Sequence, residues 1–308
     1  MRKNRDQILF LGLLVFLFGC HSVANNEISE VELFLEQDEK NGHNIVLTDL
    51  EPITKQFDRQ EIKEALALKK ANQEALIVHL YIPLCDNEHQ GIVPTSKSLG
   101  DGLSVRTNLY WATSGGTKAY FKKQADWELL YDSLNIDSNV LERVVFKKNI
   151  DRIPVFLIAD AYRGDRMEET LNNYLSAIAG AHTDSVLLDN GTTLVGAGNA
   201  DMVMFNGHNG MMDAVRLNNY PNKDGRKKDV VMNACVSYGY LQEEFMKAGG
   251  YPLVRTNTLL YPGAYVLAQI IEDWVKGVEE KQLCLNAGRA YCLKHDCGAG
   301  SKVYKAGW

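Results

Sequence analysis

Apolar residues fall into two kinds of pattern along this chain, and the alternation between them predicts its architecture. From Asp58 to Asn72 the spacing of Ile62, Leu66 and Leu68, with Ala65, Ala67 and Ala71 between, predicts an amphipathic helix. A β-rich apolar run from Ala75 to Leu84 predicts a buried strand. Residues 85 to 117 then carry polar and turn-forming residues, including Gly91, Pro94, Gly100-Asp101-Gly102 and Gly115-Gly116. So long a loop in a packed domain is usually functional or an insertion. Beyond Trp127 the two periods alternate regularly. Strands are predicted at Trp127 to Tyr131, Leu141 to Lys147, Ile153 to Ala159, Met202 to Phe205 and Val230 to Met232. Helices are predicted at Asp165 to Gly180, Tyr238 to Ala248, Ala264 to Gly277 and Glu280 to His295. The continuous run Ile153-Pro154-Val155-Phe156-Leu157-Ile158-Ala159, the strongest strand in the sequence, is of the kind found at the centre of a parallel sheet. The expected fold class is therefore α/β, a mostly parallel central sheet flanked by helices.

The first residues follow a different pattern. Basic Arg2, Lys3 and Arg5 precede an apolar stretch from Ile8 to Phe18, which is shorter than the ~18 residues needed to span a bilayer as a helix. That order is a secretory signal. It ends in Leu17-Phe18-Gly19-Cys20, which resembles the lipobox of bacterial lipoproteins, where the cysteine receives a diacylglycerol before cleavage. The resemblance implies a signal peptide over residues 1–19, lipidation of Cys20 and a membrane partner reached through the N-terminal lipid; cleavage near Ala24 as an ordinary signal peptide is the alternative. His21, where an aspartate would retain the protein in the inner membrane, implies the outer membrane, facing the periplasm or the cell surface. Residues 20–57 then form a polar, acidic tether, and 58–308 a single α/β domain.

Composition narrows the partners. A net charge of −6 and a hydrophobic fraction of 45% describe a globular chain with no basic footprint, so nucleic acid is not an expected partner.

Candidate chemistry lies just past two predicted strands. His208 follows Met202-Val203-Met204-Phe205 in the turn Asn206-Gly207-His208-Asn209-Gly210, and Cys235 follows Val230-Val231-Met232 in Asn233-Ala234-Cys235. Ligands of open parallel sheets bind beyond the carboxyl ends of strands. If these two strands are neighbours, imidazole and thiol start about 5 Å apart. A strand ending in Gly-His and a following strand ending in Ala-Cys resemble the catalytic pair of the caspase, legumain and gingipain superfamily of cysteine peptidases, over roughly residues 150–275. The chain also resembles a group of uncharacterised exported bacterial proteins, through Leu84-Cys85-Asp86-Asn87, Asn108-Leu109-Tyr110-Trp111, Gly207 to Asp213 and Gly307-Trp308.

The superfamily likeness implies a caspase-like three-layer architecture and cleavage of a peptide or protein substrate without a cofactor. Cys235 would be the nucleophile and His208 the acid and base. Oxyanion donors would come from the Cys235 amide and the turn Gly207, Asn209 and Gly210. His208 is followed by Asn209 before Gly210, where the superfamily usually has glycine directly. In Asp160-Ala161-Tyr162-Arg163-Gly164, Arg163 and Asp160 would bind the substrate side chain; the alternative for Arg163 is structural pairing with Asp160 or Asp165.

The remaining cysteines form an even set. Cys284 and Cys292 share a predicted helix at about 12 Å, too far to bridge, whereas Cys292 with Cys297, or either with Cys85, is feasible. Cys292, His295 and Cys297 lack a fourth ligand, so no metal is expected. Gly196-Ala197-Gly198-Asn199-Ala200 is followed by a strand, not the helix a dinucleotide loop requires. Two functions stand at this point: a lipid-anchored cysteine peptidase of the envelope, and a noncatalytic binding protein on the same scaffold that uses the 85–117 loop with Tyr110 and Trp111.

Overall fold

Every long β-rich run of the sequence enters one sheet in the computed structural model, which describes residues 56–297 and 302–308. The signal peptide, Cys20 and nearly all of the tether lie outside the described residues. Ten strands and six α-helices are present among those described. The chain runs α1 (Gln60–Ala71), β1 (Leu76–Pro83), α2 (Thr117–Lys123), β2 (Glu128–Leu134), β3 (Val140–Ile150), β4 (Ile153–Tyr162) and α3 (Met167–Ile178). It continues with β5 (Thr183–Leu187), β6 (Thr193–Ala197), β7 (Met202–Asn206), β8 (Lys228–Asn233), α4 (Gln242–Ala248), β9 (Gly250–Thr256), α5 (Ala264–Lys276), α6 (Glu280–His295) and β10 (Tyr304–Lys305).

The main sheet has the order β10-β9-β8-β7-β1-β4-β3-β2. β4, β1, β7, β8 and β9 are mutually parallel, and antiparallel strands flank them on both sides. β1 is therefore central: its Leu-Ile-Val-His-Leu-Tyr-Ile-Pro is buried at all but one position, because both faces are covered. Val78, Leu80 and Ile82 point into one core with α1, α5 and α6. Tyr81 points into the other, with Leu171, Tyr174 and Leu175 of α3 and Phe245 of α4. The result is a helix–sheet–helix sandwich. The period of two in β1 and the apolar stripes of α3 and α5 have to agree for both cores to close.

Several elements depart from the pattern-based expectation. The sheet is centred on β1 and not on the Ile153 to Ala159 run, because Ile153–Tyr162 is flanked by β1 on one side and by antiparallel β3 on the other. The β5–β6 hairpin, which holds Gly196, is not among the expected strands; its Val186 and Leu194 pack on Val145, Phe156 and Ile158. The helix expected from Tyr238 starts at Gln242, because Leu241 adopts φ +61, a left-handed conformation incompatible with continuing a helix. Segment 85–117 is closed on itself, as described next.

Candidate active site

Among the parallel strands the chain order 2-1-3-4-5 applies to β4-β1-β7-β8-β9, so the connections leave in opposite directions from β1 and β7. The crevice of such a sheet opens at the carboxyl ends of those two strands. Beyond β1 come Leu84-Cys85-Asp86, and beyond β7 come Gly207-His208. The two ends approach closely at Gly207, where an added Cβ would lie 3.0 Å from Pro83 Cγ.

Cys235 reaches the same edge from β8. β7 and β8 pair in parallel with Asn206 opposite Asn233, so His208 and Cys235 each stand two residues past one register pair. Side chains lock that pair: Asn233 Nδ2 donates to Asn206 Oδ1 at 2.7 Å and Asn206 Nδ2 to Pro262 O at 3.0 Å. Asn209 then ties one turn to the other, its Nδ2 donating to Cys235 O at 2.8 Å while its Oδ1 accepts from Met211 N.

The thiol itself is half-buried and touches the loop after β9. Cys235 Sγ lies 3.4 Å from Leu260 N and 3.5 Å from Leu260 O. Among the described residues the Cys235 amide makes no hydrogen bond, which leaves it able to donate to a developing oxyanion. Val236 follows at φ +47, an uncommon conformation for a β-branched residue. Its own amide is held by Thr258 O at 3.0 Å.

His208 is buried, and its Nε2 lies 2.7 Å from Asp213 Oδ2. With Nε2 on this carboxylate, Nδ1 has no hydrogen-bond partner among the described residues. Asp213 closes the 3-10 turn Gly210–Asp213 and also accepts from Gly91 N at 3.1 Å. An added Cβ on Gly91 would meet Asp213 Oδ1 at 2.4 Å, so a larger residue there would displace this carboxylate. Asp213 takes no role from the sequence; it enters only as the end of the Gly207 to Asp213 stretch, five residues after His208.

The chain matches no family model, no curated protein and no solved structure.

The other sequence candidates take different places. Arg163 lies past β4, and its guanidinium is held by both oxygens of Asp165 at 2.9 and 2.8 Å, the structural pairing. Asp160 corrects the substrate-binding expectation. It is 1% exposed, takes Arg143 Nε and Nη2 at 2.6 Å each and His79 Nε2 at 3.0 Å, and has no free edge for a ligand. Tyr110 and Trp111 also correct an expectation: both are buried, so they form no interaction surface. Their segment is cinched by Asn108, whose side chain accepts from Cys85 N at 3.0 Å and donates to Cys85 O at 2.8 Å. Burial pushes the Cys85 thiol up to about 11 and that of Cys284 to about 12, so both are protonated and inert at neutral pH. Cys292 and Cys297 form a disulfide at the end of α6. His295, one turn away, meets the Tyr265 hydroxyl at 2.5 Å and stacks on Tyr291. Four cavities of about 210 to 390 Å³ are lined by residues other than His208 and Cys235.

Proposed function

We propose that this protein is a lipid-anchored cysteine peptidase of the bacterial envelope, caspase-like in its use of a Cys235 and His208 pair at adjacent strand ends. One observation carries the reading: His208 and Cys235 leave the sheet from the same register pair of parallel neighbours, with Asn209 joining their turns. The chemistry then needs no cofactor. Cys235 thiolate attacks the carbonyl carbon of the scissile peptide, and the oxygen takes up charge beside the Cys235 amide. The C–N bond breaks as the His208 imidazolium protonates the leaving amine. Water, deprotonated by His208, hydrolyses the thioester and restores the thiol. Asp213 holds the imidazole in the tautomer that leaves Nδ1 for this work. The anchor rests on Leu17-Phe18-Gly19-Cys20.

A noncatalytic envelope binding protein is the second reading, and one observation favours it: no cavity described above is walled by His208 or Cys235. Thiol-directed peptide probes separate the two. The full chain is expected to be labelled at Cys235 while Cys85 and Cys284 stay unmodified, with labelling abolished in Cys235→Ala and slowed about a hundredfold or more in His208→Ala. Equal labelling of the Cys235→Ala chain, or indifference to His208, sinks the peptidase.

A further inference from the structure

One side chain at the root of the two turns comes from outside the parallel strands. Tyr304 of β10 is 3% exposed, and its hydroxyl donates to Asn233 Oδ1 at 3.1 Å. Asn233 Nδ2 donates in turn to Asn206 Oδ1 at 2.7 Å, and Asn206 Nδ2 to Pro262 O at 3.0 Å. The three bonds run in one direction, and chemistry dictates it. Pro262 O can only accept, so Asn206 must turn its nitrogen there and its oxygen to Asn233, which must then turn its own oxygen outward. Both asparagines are 0% exposed, so that last oxygen requires a protein donor, and the Tyr304 hydroxyl supplies it. Asn206 and Asn233 are the register pair from which His208 and Cys235 each stand two residues on. β10 reaches the Cys235 turn a second time through its partner on β9. Tyr304 pairs with Thr256, whose Oγ1 donates to Ala234 O and whose amide donates to Ser237 Oγ at 2.9 Å, on either side of Cys235. Further along, Arg255 joins the two segments, donating to Tyr238 O at 3.1 Å and to Gly307 O at 2.7 Å. The Tyr304 ring packs edge-on against Tyr291, a contact that phenylalanine would make equally well, so packing alone does not call for the hydroxyl.

We infer that Tyr304 is a positioning residue of the proposed reaction, its hydroxyl setting, through Asn233 and Asn206, how the His208 turn stands relative to the Cys235 turn. This rests on the peptidase reading above and extends its working parts to a strand outside the parallel sheet. Without the hydroxyl the Asn233 oxygen is buried and unpaired, and the amide gains a reason to turn away from Asn206. The two turns then lose the tie at their root and keep the one at Asn209.

Tyr304→Phe removes one oxygen and leaves the ring. Labelling of Cys235 in the full chain by a peptide acyloxymethyl ketone, followed over a range of probe concentrations while circular dichroism reports folding, tests the inference. The saturating rate is expected to fall about tenfold with the half-saturating concentration unchanged, since a small misplacement of reacting groups acts on rate. In the His208→Ala chain, read over longer incubation, adding Tyr304→Phe should alter the residual rate by less than about twofold, because the imidazole that the hydroxyl positions is gone. Labelling of Tyr304→Phe at the native rate overturns the inference. So does equal slowing in both backgrounds, which makes the hydroxyl a stabiliser of the fold, and so does a shift of half-saturation alone, which moves Tyr304 to substrate binding. In those three outcomes the native chain is still labelled and the peptidase reading stands. If the probe leaves Cys235 of the native chain unlabelled, the peptidase reading fails, and the inference with it.

Discussion

Of the three histidine–aspartate pairs among the described residues, His89–Asp86 involves an exposed imidazole in the loop after β1, and the other two differ in what is left over. In the first, His79 and Asp160 lie mid-sheet on neighbouring β1 and β4, each 1% exposed. His79 Nδ1 accepts from Ala197 N at 2.7 Å, so its proton is on Nε2 and is donated to Asp160. Asp160 also holds Arg143 through both oxygens, and Arg143 reaches on to Asp184 of the β5–β6 hairpin. Every strong polar atom of the pair is occupied. In the second, His208 uses one nitrogen on Asp213, which is 28% exposed, and its turn is tied through Asn209 to that of the half-buried Cys235. Saturation makes the first a rivet holding the hairpin to the sheet. The second leaves one imidazole nitrogen and one backbone amide without a partner among the described residues, and the proposed reaction needs such atoms. The same residue types therefore serve stability or chemistry according to their unfilled valences.

The largest effect separating the two pairs is expected in stability. Asp160→Asn leaves Arg143 buried against an uncharged partner and should cost about 3–5 kcal/mol. At about 2–4 °C per kcal/mol for a domain of this size, thermal unfolding should fall by roughly 10 °C. Burial raises the Asp160 carboxyl, but the Arg143 fork and His79 outweigh it and hold the group at about 2. That lies below the ordinary value of about 3.9. A depressed carboxyl contributes stability that is complete above its unfolded-state value and is lost as pH falls through the folded-state one. Native protein should thus lose stability between about pH 4 and pH 2, a loss that urea titrations will find diminished in Asp160→Asn. Labelling of Cys235 in the folded variant should be unchanged. A variant of normal stability that no longer reacts with peptide probes would return Asp160 to the substrate site.

The second pair should answer in the opposite way. Asp213→Asn keeps the shape but can no longer fix the imidazole as a charged acceptor, and is expected to slow turnover of a peptide substrate by about 10- to 100-fold. KM and thermal unfolding should hardly move, and Asp213→Glu should recover part of kcat. A fall in stability with kcat intact would make this pair a second rivet and remove the contrast.

Much of this was legible before any coordinates. The αβ alternation predicted the sheet because the strands past Trp127 are continuous apolar runs, and the His208 and Cys235 turns stood out because glycine and small residues follow them. The central place of β1 was not legible, since hydrophobicity marks a strand as buried but does not say between which partners. Strands β5 and β9 were missed for related reasons: Thr183–Leu187 is mostly polar on one side, and Gly250-Tyr251-Pro252 carries two residues that usually interrupt strands. Tyr110 and Trp111 misled because a loop full of turn residues suggests exposure, whereas Asn108 supplies the backbone hydrogen bonds that let the aromatics go inside. Asp160 misled because proximity to Arg163 in sequence says nothing about which face of β4 each side chain takes. Asp160 lies within β4, where Arg143 of the paired β3 meets it, whereas Arg163 lies past the strand end and turns to Asp165.

The smallest effect concerns how the reactive turn is held. Val236 at φ +47 is in a conformation that costs a β-branched residue about 1–3 kcal/mol, repaid only by its surroundings. Thr258 and Asn209 supply those surroundings, gripping the Val236 amide and the Cys235 carbonyl on either side of the strained bond. Glycine adopts this conformation freely but raises the entropy of the unfolded chain by about 0.5–1 kcal/mol. Val236→Gly should therefore stabilise the protein by about 1 kcal/mol or less, while Val236→Ala, which keeps a Cβ, should not. If the strain aims the Cys235 amide and thiol, relaxing it should slow peptide-probe labelling of Cys235 two- to fivefold as stability rises, as differential scanning calorimetry and labelling rates on the same sample would show. Lower stability with an unchanged rate would mean that Val236 packs like any core residue and that the turn stores nothing for chemistry. The contrast between the two pairs would then rest on unfilled valences alone.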